Sequence, residues 1–201
     1  ADIFLKIKPP TDSTEHQYYF LRNAYVFPEY DLNVEEMNFR DTILKKEGLF
    51  IIQNQKVLRP NVIDRAVSQD KGDVFSKKFQ DITINHLLDL GVFRFVNLKY
   101  ARRKIGNQNV LDRYLYLTPD EIMDVTGELE LNNRTGNFFG TAATVTYTHK
   151  NLFGGAERLN ISVTGGLETQ IGSGISFINS ADLNVQAGIS APKFLVPFKI
   201  K

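Results

Sequence analysis

The sequence contains no cysteine, so a disulfide framework, a thiolate metal site and a cysteine nucleophile are all excluded. It also lacks any run of 18 apolar residues, which excludes a transmembrane helix. Net charge is nearly absent, because 24 basic residues face 23 acidic ones and leave +1, so no global field argues for nucleic acid as a partner. Histidine is scarce. His16, His86 and His149 fall on a linker, an interior helix pattern and a strand end, without the short spacing that ligands of one metal leave. Ser173 stands in Gly172-Ser173-Gly174, which lacks the spacing of a nucleophile elbow, and no paired acid motif accompanies it. No catalytic residue, metal or cofactor is therefore expected. Asn133-Arg134-Thr135 and Asn160-Ile161-Ser162 match the glycosylation pattern and are read as chance matches. Ala1-Asp2 begins without the basic or apolar regions of a signal peptide, so the N-terminus is expected to be trimmed. A transmembrane barrel survives all these exclusions, since its strands are only half apolar and hardly register in average hydropathy.

Length allows one large or two modest domains, and the patterning favours two. Residues 76–117 organise the first. Phe79, Ile82, Leu87 and Leu90 recur at near-helical spacing, with Ser76 placed as N-cap and Gly91 as a left-handed stop. Val96, Leu98 and Tyr100 then alternate with polar residues, as do Leu111, Leu115 and Leu117. An antiparallel hairpin is expected, its connection at 101–110 holding Arg102, Arg103, Lys104 and the turn pair Gly106-Asn107. Those three cations could touch lipid headgroups, at roughly 1 kcal/mol each, or simply form a solvated tip.

Upstream, Ile3, Leu5 and Ile7 mark a short strand stopped by Pro9-Pro10. Residues 17–27 are rich in Tyr and Phe, as a strand should be, and Pro28 ends them. Residues 30–47 read as a charged insertion with a short helical turn, closed by Gly48, and 49–54 as a short apolar run. Pro60 starts a helix with Val62, Ile63, Ala66 and Val67 on its buried face, expected to end at Lys71-Gly72.

After Pro119 the pattern changes. Met123, Val125, Gly127, Leu129 and Leu131 alternate with Asp124, Thr126, Glu128, Glu130 and Asn132. The alternation returns at 158–171 and 182–190, and in a less polar form at 139–147, giving four long strands with turn chemistry between them. Soluble strands usually run about five or six residues, whereas a tilted membrane-crossing strand needs about nine to eleven, so strand length favours a barrel over a soluble β-sandwich.

The residues Phe75-Ser76, Leu87-Leu88-Asp89-Leu90-Gly91-Val92-Phe93, Val96 and Leu98 resemble the second half of a POTRA (polypeptide-transport-associated) domain. The stretch His149-Lys150-Asn151-Leu152-Phe153-Gly154-Gly155-Ala156-Glu157-Arg158-Leu159 resembles the second periplasmic turn of BamA/TamA-type outer-membrane barrels, of the bacterial surface antigen class. The resemblance implies an α+β fold: a β-α-α-β-β POTRA-like domain at 17–118, after a remnant strand and linker of a preceding copy at 1–16. Residues 119–201 would be the first four strands of a transmembrane β-barrel, which needs many more to close. It further implies a non-enzymatic assembly or translocation protein of a Gram-negative outer membrane, with the POTRA domain in the periplasm. Expected partners are unfolded outer-membrane clients, membrane lipid and accessory lipoproteins. Clients would add to an edge strand at Val92, Phe93, Arg94, Phe95, Val96, Asn97 and Leu98, and the barrel's first-strand seam would be Met123, Val125, Gly127, Leu129 and Leu131. The alternatives are a two-partner secretion transporter and a soluble α+β/β-sandwich binding module.

Overall fold

The computed structural model describes residues 17–31, 41–54, 57–134, 138–170 and 178–192. The expected strand at Ile3–Ile7, His16 and the Gly172-Ser173-Gly174 turn lie outside them. The described residues form β1 (Phe20–Phe27), β2 (Asp41–Lys46), β3 (Leu49–Gln53), α1 (Pro60–Ala66), α2 (Lys77–Asp89), β4 (Phe93–Ile105) and β5 (Gln108–Pro119). Four further strands follow: β6 (Met123–Arg134), β7 (Phe138–His149), β8 (Arg158–Gln170) and β9 (Ser180–Ser190).

The first sheet runs β2-β3-β1-β5-β4. β1 lies parallel to β3 and β5, while β2/β3 and β4/β5 are antiparallel hairpins. Residues 41–46, expected within a helical-turn insertion, are instead a strand that pairs with the apolar run at β3, extending the sheet beyond β1. The mixed pattern of Asp-Thr-Ile-Leu-Lys-Lys hides a strand whose stability comes from its partner. The basic residues of the second hairpin also sit differently from expectation. Arg102, Arg103 and Lys104 belong to β4 itself, and the turn contracts to Gly106-Asn107, where Gly106 takes φ +58°.

Both helices cover one face of this sheet. Ile63, Ala66, Leu87 and Leu90 pack there against Ala24, Val26, Leu49, Ile51, Leu115 and Leu117. α1 ends at Ala66, short of Lys71-Gly72, because the chain beyond finds tertiary partners. The Ser68 N–H donates to Thr83 Oγ1 at 3.1 Å, and Gln69 Nε2 to the Val74 carbonyl at 2.8 Å. In α2 the buried line is Thr83, Leu87 and Leu90, while Phe79, expected inside, is exposed. Thr83 tolerates burial because its hydroxyl also donates to the Phe79 carbonyl at 3.0 Å. Ser76 precedes the helix in extended geometry without a side-chain cap bond, and Gly91 follows at φ +68°.

The opposite face carries a cross-strand aromatic row, with Tyr25 stacked between Phe50 at 5.2 Å and Tyr114 at 5.1 Å. Asp112, only 1% exposed, is held by Arg103 at 3.0 Å and Arg22 at 3.5 Å. Arg113, on the helix side and also buried, donates twice to the Gln69 carbonyl at 3.1 Å, tying the α1–α2 connection to β5.

The second sheet is an antiparallel meander, β6-β7-β8-β9. Directly paired residues share a face, so register decides whether the alternations agree. They do. Gly127, Val145, Val163 and Val185 form one row across all four strands, as do Leu129, Ala143, Gly165 and Leu183. Rows of opposite parity are polar: Thr126, Thr146, Ser162 and Gln186, then Glu128, Thr144, Thr164 and Asn184. Hydroxyl pairs join β7 to β8 within these rows, Thr144 to Thr164 and Thr146 to Ser162, each at 2.9 Å.

Leu87 is fully buried and its neighbour Leu88 is not, which gives a direct test of helix orientation. Leu87→Ala is expected to cost about 2–5 kcal/mol and Leu88→Ala less than about 1 kcal/mol, read from denaturant midpoints of the detergent-solubilised chain. Equal losses would contradict the packing.

Candidate functional site

Three features are candidates: the β4 edge, the β6 edge and the joint between the sheets. The joint is the β7–β8 turn. Its 149–159 sequence folds around Glu157, whose carboxylate accepts the N–H groups of Gly155 at 2.8 Å and Phe153 at 3.3 Å, while its carbonyl accepts Leu152 N–H at 2.9 Å. Asn151 Oδ1 accepts Ala156 N–H at 3.0 Å, and His149 Nδ1 accepts Asn151 N–H at 3.3 Å. A Cβ at Gly155 would stand 2.2 Å from Glu157 Oε1, so a side chain there would push the carboxylate out of its place in the turn.

The turn docks on the first sheet's helical layer. Asn151 Nδ2 donates to the Val57 carbonyl at 2.6 Å, Arg59 N–H donates to the Gly154 carbonyl at 2.8 Å, and Ala156 enters the hydrophobic core. Asp120, between β5 and β6, completes the joint. One carboxylate oxygen takes Lys150 Nζ at 2.5 Å from the turn, and the other takes Arg94 Nε and its terminal nitrogen at 3.2 and 3.1 Å from β4. Hydrogen bonding from Lys150 leads in holding the Asp120 carboxyl below its usual range against the opposing effect of burial, with Arg94 and the Glu121 N–H assisting. At Glu157 burial pushes upward, yet the turn's N–H groups and the charge of Arg59 bring the carboxyl below its usual range.

Of the residues expected at the client-binding edge, Val92 precedes β4 and is buried, as is Phe93. A register shift follows at Arg94, beyond which β4 is an outer strand of its sheet, with Phe95 54% exposed, Asn97 exposed, and Val96 and Leu98 half-buried. The expected seam residues Met123, Val125, Gly127, Leu129 and Leu131 share one face of β6, itself an outer strand, and all are exposed. Arg103 is paired with Asp112, Arg102 lies 5.7 Å from the Tyr19 ring, and Lys104 is exposed. Among the described residues, no group of three or more His, Asp or Glu side chains could hold a metal ion. The role of Asp120 had no local signal, since Arg94 and Lys150 lie far from it in sequence. The turn at 149–159 is legible as a whole, but nothing in it singles out Glu157 as the residue around which it folds.

No protein-family model matches this chain, and no curated protein matches it. Among solved structures, it is similar to BamA from Haemophilus ducreyi lacking POTRA domains 1–3, at TM-score 0.35 and 10% identity, over 74% of this chain and 28% of that one. It is also similar to CdiB from Acinetobacter baumannii, at TM-score 0.45 and 10% identity, over 82% of this chain and 42% of that one. The chain thus spans less than half the length of either structure.

Both joint carboxyls are depressed from their ordinary values of 3.8 and 4.5, so their contribution is complete above those values and lost as pH falls through the lower folded ones. Hydrogen-exchange protection at 150–157, corrected for the intrinsic pH dependence of amide exchange, is expected to hold at neutral pH and to fall below about pH 4. Asp120→Asn should weaken the joint by about 1–2 kcal/mol at pH 7 and flatten that acid response. Exchange unaltered by either change would refute the clamp.

Proposed function

We propose that this chain is the barrel-proximal part of an outer-membrane assembly or translocation factor and that it acts without catalysis. Residues 17–118 form a POTRA-like unit in the periplasm. The outer edge of β4 binds unfolded outer-membrane protein clients, whose main-chain groups complete the unpaired ladder while side-chain contacts stay permissive. Residues 119–201 begin a β-barrel in the outer membrane, with β6 as the seam strand where client strands enter. Accessory lipoproteins would be further partners.

One observation carries this proposal: the apolar rows of β6 to β9 are in phase over strands of 11 to 13 residues, and the face they make is open. Leu129 is 84% exposed and Leu183 75%, with Val125, Leu131, Val145 and Val185 beside them. An apolar face this continuous marks an interaction surface, and lipid is the solvent that suits strands of about nine to eleven residues or more. The opposite face, with Glu128, Glu130 and Glu168, suits a wet lumen.

The test is photo-crosslinking in cells from a reactive residue placed at Asn97. Crosslinks to many newly made outer-membrane proteins are expected, with the chain in the membrane fraction. A single exported protein as the crosslinked species would instead identify a two-partner secretion transporter. A chain that fractionates with soluble proteins and captures no client would contradict the proposal and leave the soluble binding module.

A further inference from the structure

Within Phe93–Ile105 there are five cations, Arg94, Lys99, Arg102, Arg103 and Lys104, and no carboxylate. Two are ion-paired, Arg94 to Asp120 at 3.1 Å and Arg103 to Asp112 at 3.0 Å, each carboxylate being shared with a second cation. The other three have no carboxylate partner among the described residues. Lys99 Nζ rests 5.6 Å from the Tyr116 ring centre and Arg102 lies 5.7 Å from that of Tyr19, contacts that position the cations without cancelling their charge. Lys99 and Arg102 have opposite parity along the strand, so an added strand would meet uncompensated positive charge on both of its faces.

We propose that the β4 edge selects its occupant by charge and takes an extended segment bearing carboxylates near Lys99, Arg102 and Lys104. This rests on the strand-addition reading above and names the client class it favours. Cationic residues on an outer strand oppose edge-to-edge pairing with another copy of the same strand, because like charges would face each other. The same charges attract an acidic strand, which can satisfy both the main-chain ladder and the side chains. An anionic lipid surface satisfies the charges alone and leaves the ladder unpaired. The register shift at Arg94 sets one end of the docking stretch, placing it along Phe95 to Ile105.

The experiment uses the whole chain in neutral-lipid nanodiscs and three synthetic peptides of β4's length with one apolar β-pattern, carrying Glu, Gln or Lys at the remaining positions. The Glu peptide is expected to bind about tenfold or more tighter than the Lys peptide at low salt, three cross-strand charge pairs being gained in one case and opposed in the other. The difference should shrink with added salt, and binding should slow hydrogen exchange along β4. Lys99→Glu with Arg102→Glu and Lys104→Glu, all at solvent-reaching positions, should reverse the preference while leaving the unfolding midpoint in place. Equal binding of all three peptides would overturn charge selection while keeping strand addition. Binding of none would overturn strand addition as well. If nanodiscs containing phosphatidylglycerol abolish the charge preference without any peptide protecting the β4 amides, the cations serve a lipid surface and the proposal fails.

Discussion

Side chains on a β-strand alternate between two faces, so a sheet acquires one apolar face only if every strand is paired in phase with its neighbour. That constraint governs the second half of this molecule. A slip of one residue between β7 and β8 would set Val145 against Ser162 or Thr164 and break both faces at once. The hydroxyl pairs Thr144–Thr164 and Thr146–Ser162 oppose such a slip from the polar side, since their bonds exist in one register only. Register, strand length and exposed apolar area thus all depend on one pairing pattern. The membrane assignment stands or falls with it.

The joint brings the first sheet to this one through few but specific contacts. Glu157 organises a turn whose outer surface offers a carbonyl, an amide side chain and a small buried methyl to the helical layer. Asp120 joins β4 to the same turn by holding Arg94 and Lys150 together. An event at the β4 edge near Arg94 is therefore one side chain away from the turn between β7 and β8. Under the proposed function, this adjacency would set a client bound at β4 next to the start of the second sheet.

What could be read from the sequence follows from the range of the interactions involved. The alternations in β6, β8 and β9 were legible because each strand carries its own pattern, and the stop at Gly91 because a left-handed residue has a local signature. The β2/β3 hairpin was not, because β2 has mixed polarity and its strand conformation comes from pairing with β3. The end of α1 depends on Thr83, fifteen residues after Ser68. Asn151 and Val57 are 94 residues apart, and their bond has no local signal in the sequence. The Asp120 clamp belongs to the same class. Its three members, Asp120, Arg94 and Lys150, are common surface residues until the fold assembles them.

The absence of cysteine allows the membrane-facing claim to be tested without background labelling. Single cysteines placed along β8 from Leu159 to Thr164, spin-labelled in nanodiscs, report their exposure to oxygen, which concentrates in lipid, and to a water-soluble nickel complex. The account predicts strict alternation: oxygen accessibility at Leu159, Ile161 and Val163, and nickel accessibility at Asn160, Ser162 and Thr164. Uniform nickel accessibility, or burial of Leu159, Ile161 and Val163 from both probes, would contradict it.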